Sequence, residues 1–274
     1  MPVIATNTAA NTALRYLNQN QAAQSESLAK LSSGSRIQKA SDDASGLAIS
    51  TTMAADISVL QQAGTNASTG QAVLQTADGA LSNISDILQR MKALTAQSQT
   101  GTVSDTQRGY IDAEYQQLVS EVDDIAKTTK FNGESMLDGT GAYATGVNFL
   151  VGTESTDVLK VTLSDVSATG LSIKTTGVDT ATKAATAMTA IDTAIGTISN
   201  ERSTVGAMVS RFSYRADVIS SSMENLQAAK SAISDVDIAA EQTKFTTAQT
   251  LTSAAISALG QANSMNQQLL KLLQ

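Results

Sequence analysis

Three carboxylates lie close together near the end of the chain, in the segment SDVDIAAE, and are the best candidates for a metal site. Asp235, Asp237 and Glu241 are two and four residues apart, and carboxylate oxygens are the ligands that Ca²⁺ prefers. On one helical turn, however, they lack the further loop oxygens that a calcium site needs. The spacing instead favours a helix start, with Asp235 as its N-cap or Asp237 as a first-turn acid.

The chain lacks the side chains that most catalytic sites use. It contains no His and no Cys, which excludes thiolate nucleophiles, Cys/His zinc sites and a histidine general base. No GxxxxGK(S/T) or GxSxG motif is present. Asp123 and Asp124 are adjacent on a predicted helix, so they point to different faces, as solvated surface charges do. We expect no enzyme activity, no cofactor and no metal site.

The composition favours long, closely packed helices over a thick globular core. Aromatic residues make up 3% of the chain, there is no Trp, and the only proline is Pro2. Proline in a helix interior costs roughly 3 kcal/mol, so its absence elsewhere permits very long helices. The apolar residues are mostly Ala, Leu, Ile and Val, which suit thin layers of packed helices.

Hydrophobic periodicity predicts three long helices. Eleven of thirteen positions between Ile191 and Ile233, taken in alternating steps of four and three, are apolar, as in a coiled-coil seam. A second seam, with Leu74, Leu81 and Leu88, predicts a helix from about 43 to 99. A third seam follows Gly101 and continues to Ile125, with Ser104 or Asp105 as its N-cap.

The two ends of the chain show weaker heptad patterns with polar interruptions, among them Gln21, Gln24, Thr252 and Asn266. Such half-apolar seams need tertiary packing to hold a helix. The large apolar residues at the predicted a and d positions are Leu14, Leu17, Leu28 and Leu31 near the start, and Ile238, Phe245, Leu259, Leu269 and Leu273 near the end.

Residues 131–180 differ from the rest, because glycines and short alternating runs replace the helical pattern. The runs VNFLV (147–151) and VLKVTL (158–163) predict the strands of a small β-hairpin, and LSIKT (171–175) is a candidate third strand. The dipeptide Asn132-Gly133 predicts a tight turn.

The first residues, MPVIATNTAANTALRY, lack the basic and apolar regions of a secretory signal peptide. No segment approaches the ~18 apolar residues of a membrane span, so we expect no membrane insertion. The first 40 residues carry four cations and one acid, and residues 242–274 carry two cations and no acid. These cations are too sparse to favour nucleic-acid binding.

The segment LSSGSRIQKASDDASGL, which begins at Leu31, concentrates charge in a chain in which only 16% of residues are charged. Its charged residues are Arg36, Lys39, Asp42 and Asp43. Ser41 or Asp42 is the predicted N-cap of the following helix, with Asp43 in its first turn. This local role accounts for the acids and leaves the two cations unexplained.

Several segments in the same order resemble the signatures of bacterial flagellins. They are SLAKLSSGSRIQKASDDASGLAIS (27–50), QTADGALSNISDILQRMKALTAQS (75–98), TKFNGESML (129–137), ERSTVGAMVSRF (201–212) and the chain from 231 to its end. Together they cover both ends and both long seams. Five signatures in order are far more specific than any one of them.

The resemblance implies a mainly α fold, a long coiled-coil-like helical rod built from N- and C-terminal segments with a small β-hairpin region. Residues 1–40 and 235–274 would form an inner core domain of paired terminal helices. Residues 41–234 would form an outer rod domain, with the hairpin region at about 131–180. Only about 50 residues separate the Asn132-Gly133 turn from the last long helix, which implies a minimal flagellin without large outer domains.

The same resemblance implies a structural subunit that polymerises through its terminal helices into the extracellular flagellar filament for motility. The partners implied are further copies of the chain, a flagellar export chaperone, and the filament cap and hook-junction proteins. Export would proceed through the flagellar type III channel without a cleavable signal peptide. We also expect Arg36 and Lys39 to meet carboxylates of a neighbouring subunit.

The resemblance also suggests a surface that a host Toll-like receptor recognises. Leu88, Gln89, Arg90 and Leu94 match the LQRxxxL pattern of the family, and Glu114 matches its receptor-contacting acid. The match is partial, because MKALTAQ departs from the usual RELAVQ. The alternative is that Leu88 belongs to the core and Arg90 is solvated or an assembly contact.

Two other functions remain open at this point. A hook–filament junction protein has related ends but does not polymerise. Another type III-secreted coiled-coil protein, such as an adhesin or needle-tip protein, would have no need for the Phe-Asn-Gly turn.

Overall fold

The computed structural model describes residues 6–272, and most of them lie in helices. The chain order of the elements is α1 (Thr8–Ser33), α2 (Ala44–Gln99), α3 (Asp105–Thr128), β1 (Lys130–Phe131), β2 (Glu134–Ser135), α4 (Ala142–Thr145), β3 (Val147–Leu150), β4 (Val158–Val161), α5 (Ala181–Ser234) and α6 (Ile238–Leu272). The prediction of a mainly helical chain with a small β-hairpin region is confirmed.

The chain divides into two compact units. One contains the residues up to 55 and those from 225 onward, and the other contains residues 56–224. Helices α2 and α5 each contribute residues to both units.

The core of the unit formed by residues 56–224 is built by α2, α3 and α5. Leu74, Leu81 and Leu88 of α2 are fully buried, as are Ile191 and Ile198 of α5. On the surface, Arg202 of α5 pairs with Asp78 of α2, and Lys92 of α2 pairs with Asp192 of α5. The apolar periodicity therefore identified the packed faces correctly.

The end of α2 is joined to the start of α3 by polar contacts. Ser104 is the N-cap of α3 and forms a capping box with Gln107, as one of the two predicted caps. The nearly buried Arg108 donates through Nε to the carbonyl of Ser98, at 2.8 Å, and through Nη2 to that of Thr100. Because the last carbonyls of a helix have no partner within it, Arg108 stabilises the end of α2.

The β elements are two antiparallel pairs, β1–β2 and β3–β4. Asn132 and Gly133 join β1 to β2 with φ values of +51° and +86°, as the two left-handed positions of a type I′ turn require. In the second pair Val147 faces Val161. The predicted hairpin is thus confirmed.

The expected third strand at residues 171–175 is wrong. Ser172 has a φ of +58°, which interrupts an extended chain. The backbone amides of Ile173 and Lys174 both donate to the carbonyl of Ala168, so the segment turns locally. Its apolar alternation reflects burial of Leu171 and Ile173, not strand pairing.

Candidate assembly interface

The terminal helices α1 and α6 pack against each other in antiparallel orientation. Ser27 Oγ donates to Glu241 Oε1 at 2.7 Å, and Asn7 Nδ2 donates to the carbonyl of Ala262 at 3.0 Å. From the first contact to the second, the α1 residue lies nearer the N-terminus and the α6 residue nearer the C-terminus. The two helices are therefore antiparallel.

The side chains between α1 and α6 are mostly small or polar. The less exposed positions, which follow steps of three and four, are Asn7, Ala10, Ala13, Leu17, Asn20, Gln24 and Ser27 on the α1 side, and Glu241, Phe245, Ala248, Thr252, Ala255, Leu259 and Ala262 on the α6 side. We call these residues the α1–α6 seam. Small side chains let two helices approach closely but bury little apolar area.

The predicted heptad on α1 is wrong for Leu14 and Leu28, which lie outside this seam. Their exposed fractions are 45% and 55%, and the seam uses the residues one position earlier, Ala13 and Ser27. Leu17 and Leu31, the other two leucines predicted at a and d positions, are half-buried. The helix presents its small residues to α6 and turns the row containing Leu14 and Leu28 outward.

The predicted heptad on α6 agrees with the structure over most of its length. Phe245 and Leu259 are half-buried in the α1–α6 seam, whereas Ile238, at the first turn, is 66% exposed. The side chain of Leu269 and the whole of Leu273 lie outside the described residues.

Large apolar side chains are exposed around this helix pair. They are Leu14, Tyr16 and Leu28 on α1, and Ile238, Leu251, Ile256 and Met265 on α6. We call them the outward apolar set. Single exposed apolar residues are ordinary, but a concentration of them on one helix pair marks a surface for association.

Glu241 is the one carboxylate in the described part of the α1–α6 seam, and it is 5% exposed. Its carboxylate accepts hydrogen bonds from Ser27 Oγ and, at 3.0 Å, from Lys244 Nζ. The hydrogen bond from Ser27 is the main cause that lowers the pKa of Glu241 below its ordinary value of 4.5, and the two contacts outweigh the opposing effect of burial.

We expect the α1–α6 pair to weaken in acid through Glu241. Because folding lowers this pKa, the stability it contributes is present above 4.5 and is lost as the pH falls through the still lower folded value. Amide exchange at residues 241–248 should therefore accelerate below that pH. In Glu241→Gln this local acceleration should disappear, and its persistence there would assign the effect to other acids.

The connector between α1 and α2 is hydrogen-bonded to the end of α5 and to the residues that follow it. Arg36 donates from its backbone amide to the carbonyl of Ser234 at 2.6 Å and from Nη2 to that of Ile233 at 2.5 Å. In return, the amide of Val236 donates to the carbonyl of Gly34, which has a left-handed φ of +71°. Arg36 therefore satisfies carbonyls at the end of α5 that a helix leaves unpaired.

The acids of the connector stabilise its own turns. Asp43, not Ser41 or Asp42, is the N-cap of α2, because its Oδ1 accepts from the amide of Gly46 at 2.9 Å. Asp42 Oδ2 accepts from the amides of Gln38 and Lys39, and these bonds lower its pKa. The sequence therefore predicted correctly that this segment caps α2, but the cap is Asp43, one residue after Asp42.

Lys39 differs from Arg36, because it has no ion pair among the described residues and its side chain is exposed. Arg36 thus forms hydrogen bonds within the chain, whereas the exposed side chain of Lys39 is free to contact a second molecule.

At the start of α6, the two aspartates first considered as metal ligands make local hydrogen bonds. Asp237 is the N-cap, since its Oδ1 accepts from the amide of Ala240. Asp235, the predicted N-cap, instead accepts from Ser231 Oγ at the end of α5. Within residues 6–272, no cluster of three or more His, Cys, Asp or Glu residues is placed to hold a metal ion. None of the helices in this range has the length and apolarity to cross a membrane.

The predicted receptor residues divide into a buried and an exposed group. Leu88 and Leu94 are fully buried in the helical core, whereas Gln89 is exposed. Arg90 donates through Nε and Nη2 to Glu114 Oε1, at 2.9 and 2.6 Å, across α2 and α3. The polar members are therefore exposed, and two of them, Arg90 and Glu114, form an ion pair.

Known protein families match this chain over most of its length. The model described as the bacterial flagellin N-terminal helical region matches residues 4–142, and the bacterial flagellin C-terminal helical region matches residues 188–273. The chain is 40% identical to a flagellin of Halalkalibacterium halodurans over 259 residues, covering 94% of this chain and 93% of the relative.

Two further relatives support the same assignment. The chain is 37% identical to the flagellar filament 33 kDa core protein of Treponema phagedenis over 99% of both chains. It is also similar to the crystal structure of Bacillus cereus flagellin, with 34% identity and a TM-score of 0.52 over 61% of this chain and 94% of that one. Both family models, the near-complete relatives and the terminal helix pair lead to one conclusion: the chain belongs to the bacterial flagellin family.

Proposed function

We propose that the chain is the structural subunit of a bacterial flagellar filament and polymerises through its terminal helices. The observation that carries the proposal is the outward apolar set on α1 and α6. The α1–α6 seam consists mostly of small and polar side chains, whereas the larger apolar side chains of the outward apolar set face away from it. Association with further copies would remove those side chains from water, at roughly 1.5–3 kcal/mol for each fully buried Leu or Ile.

Seeded polymerisation tests this function. Purified chain is mixed with short filament fragments, light scattering is followed, and the product is imaged. Long filaments from the full chain, and none from a truncation lacking residues 235–274, would support the proposal. Soluble monomer under all conditions, seeds included, would contradict it and favour a hook–filament junction protein.

In this proposal the residues divide by their place in the filament. Residues 1–40 and 235–274 belong to its inner core, and residues 41–234 form the outer rod. The family is one of structural proteins, and the proposed role requires no catalytic group.

The connector cations are proposed to meet carboxylates of a neighbouring subunit. Lys39 is the better candidate, because Arg36 already bonds Ile233 within the chain. Exposed ion pairs contribute about 0–1 kcal/mol each, but the contact recurs at every subunit and favours one packing over others.

Charge reversal at each connector cation should distinguish a contact between subunits from a hydrogen bond within the chain. Lys39→Glu is expected to change filament shape or raise the critical concentration by up to about fivefold, with the thermal stability of the monomer unchanged. Arg36→Glu should also increase amide exchange at residues 233–236, because it removes the side chain that donates to the carbonyl of Ile233 at the end of α5. Filaments of Lys39→Glu with unaltered shape and critical concentration would exclude the contact.

Export and assembly require further partners under this proposal. They are a flagellar export chaperone and the filament cap and hook-junction proteins, with the filament outside the cell and export independent of a cleavable signal peptide. Co-purification of the chain with the chaperone from cells that lack the export channel would test the first of them.

A host Toll-like receptor is proposed to recognise the exposed patch of Gln89, Arg90 and Glu114. Arg90→Ala is expected to reduce activation of receptor-reporter cells by about tenfold or more, because it removes a charged contact. Lys92→Ala, which removes the neighbouring cation from the Asp192 pair, is the matched control. Equal activity of Arg90→Ala and the unaltered chain would contradict recognition at this patch.

A further inference from the structure

One face of α5, in the unit formed by residues 56–224, carries two arginines beside exposed apolar surface. Tyr214 and Val218 are 73% and 54% exposed. Arg211 and Arg215 share this face, because residues three, four and seven apart on a helix point the same way. We call the four residues the α5 basic face. Arginine and tyrosine are side chains that protein interfaces often use as anchors.

The two arginines of the α5 basic face have no partner in the part of the chain that the structure describes. Six other cations of residues 56–224 form ion pairs, whereas Arg211 and Arg215 form neither an ion pair nor a side-chain hydrogen bond among residues 6–272. Residues 56–224 contain more acids than cations, so a lack of carboxylates is not the cause. Arginine is the cation best suited to ion pairs at interfaces, and these two are available to a second molecule.

The opposite charge lies on the exposed face of α3. Glu121 and Asp124 are exposed and, within the described chain, form no ion pair. Gln117 and Tyr110 continue the same face toward the start of the helix, and Tyr110 is 74% exposed. We call these four residues the α3 acidic face. Its two carboxylates are one helical turn apart, as are the two arginines of the α5 basic face, so both pairs can form at once.

The two faces of one chain lie at different levels along α2. Asp124 is about 15 Å from Arg90 along α2, because it lies about ten residues beyond Glu114, the partner of Arg90, on the antiparallel α3. The ring of Phe212 in α5 lies against Gly70 of α2, about 30 Å from Arg90 in the same direction. Within one chain the α5 basic face is therefore about 15 Å beyond the carboxylates of the α3 acidic face, and each face is left for another molecule.

We propose that the α5 basic face binds the α3 acidic face of a second copy of this chain. Arg211 and Arg215 of one copy pair with Glu121 and Asp124 of the next, and Tyr214 is covered by the contact. Opposite charges favour this arrangement over contact between two like faces. Because the two faces differ, each copy binds one neighbour through each face, and such heterologous contacts continue into an open polymer. The inference rests on the proposed function and adds to it a contact outside the terminal helices.

Two charge-reversal variants test this contact by seeded polymerisation at low ionic strength. Arg211→Glu with Arg215→Glu makes both faces acidic, and Glu121→Lys with Asp124→Lys makes both faces basic. Each variant alone should raise the critical concentration by about tenfold, because like charges replace ion pairs. An equimolar mixture of the two should polymerise within about twofold of the critical concentration of the unaltered chain, since every acidic face then finds a basic one.

Asp217→Lys with Glu224→Lys is the matched control, because it reverses two exposed acids of α5 that lie outside the α5 basic face. Its mixture with the arginine-to-glutamate variant should not recover assembly. Thermal unfolding of all monomers should coincide, because substitutions on the surface change stability little. Arg211→Gln with Arg215→Gln, which removes the charge without adding repulsion, should raise the critical concentration by about threefold.

Normal critical concentrations for both charge-reversal variants would overturn the proposal. A mixture that assembles no better than its components, while the monomers keep their thermal stability, would also overturn it. Recovery with the Asp217 and Glu224 variant instead would assign the partner surface to α5 and refute the role of α3. If a reversed variant unfolds, the glutamine variant decides, and a normal critical concentration for it refutes the contact. Failure of unaltered subunits to polymerise would contradict the proposed function instead.

Discussion

Replacement of Leu14 and Leu28 by Gln is expected to suppress filament growth while the monomer keeps its stability. The two residues are two heptads apart on α1, so they lie on the same face, and both are about half exposed. Because each side chain is already about half buried, covering the rest of it against another subunit is worth about 0.7–1.5 kcal/mol. The double variant should therefore raise the critical concentration of seeded polymerisation by about tenfold to a hundredfold.

A conservative double variant distinguishes loss of apolar contact from loss of fold. Leu14→Met with Leu28→Met keeps the apolar surface and should polymerise at nearly the normal critical concentration. Thermal unfolding of all three monomers should coincide, because exposed substitutions usually change stability by less than about 0.5 kcal/mol. A normal critical concentration for the Gln variant would show that this face of α1 lies outside the filament contacts.

Substitution of alanine for glycine is expected to have opposite effects at two positions of α2. A Cβ atom at Gly70 would lie 2.6 and 2.7 Å from two ring atoms of Phe212, whose side chain is 1% exposed. Phe149 packs edge-on against that ring, with centroids 5.6 Å apart, and restricts its movement. Overpacking typically costs about 1–3 kcal/mol and outweighs the helix propensity gained, so Gly70→Ala should lower the free energy of unfolding by about 1–2 kcal/mol.

Gly79 is the matched control in the same helix. A Cβ atom there would meet no other atom within 4 Å, so Gly79→Ala should raise the free energy of unfolding by about 0.5–1 kcal/mol. Urea unfolding monitored by circular dichroism measures both variants. In a double-mutant cycle, Phe212→Leu should reduce the cost of Gly70→Ala. Equal stabilisation by both alanines would show that the Phe212 ring moves aside freely.

The sequence by itself determined the features that depend on local chemistry and periodicity. The long seams predicted both ends of α2 and the C-terminal end of α5 to within a few residues, although α5 begins ten residues before its seam. Ser104 was identified among the caps of α3, and Asn132-Gly133 predicted a tight turn. These features follow from residues close in sequence, because caps and turns need particular side chains at fixed offsets. The family resemblance likewise depended on contiguous segments.

The tertiary structure alone decided which faces meet. On α1, the apolar pattern placed Leu14 and Leu28 in the seam, but a one-residue difference, equivalent to a rotation of about 100°, turns them outward. The pairing of Arg36 with the end of α5 and of Ser27 with Glu241 spans 197 and 214 residues. Periodicity identifies the apolar face of a single helix. Which residues of a second helix contact that helix depends on how closely the two backbones approach, and this is decided only when the helices pack.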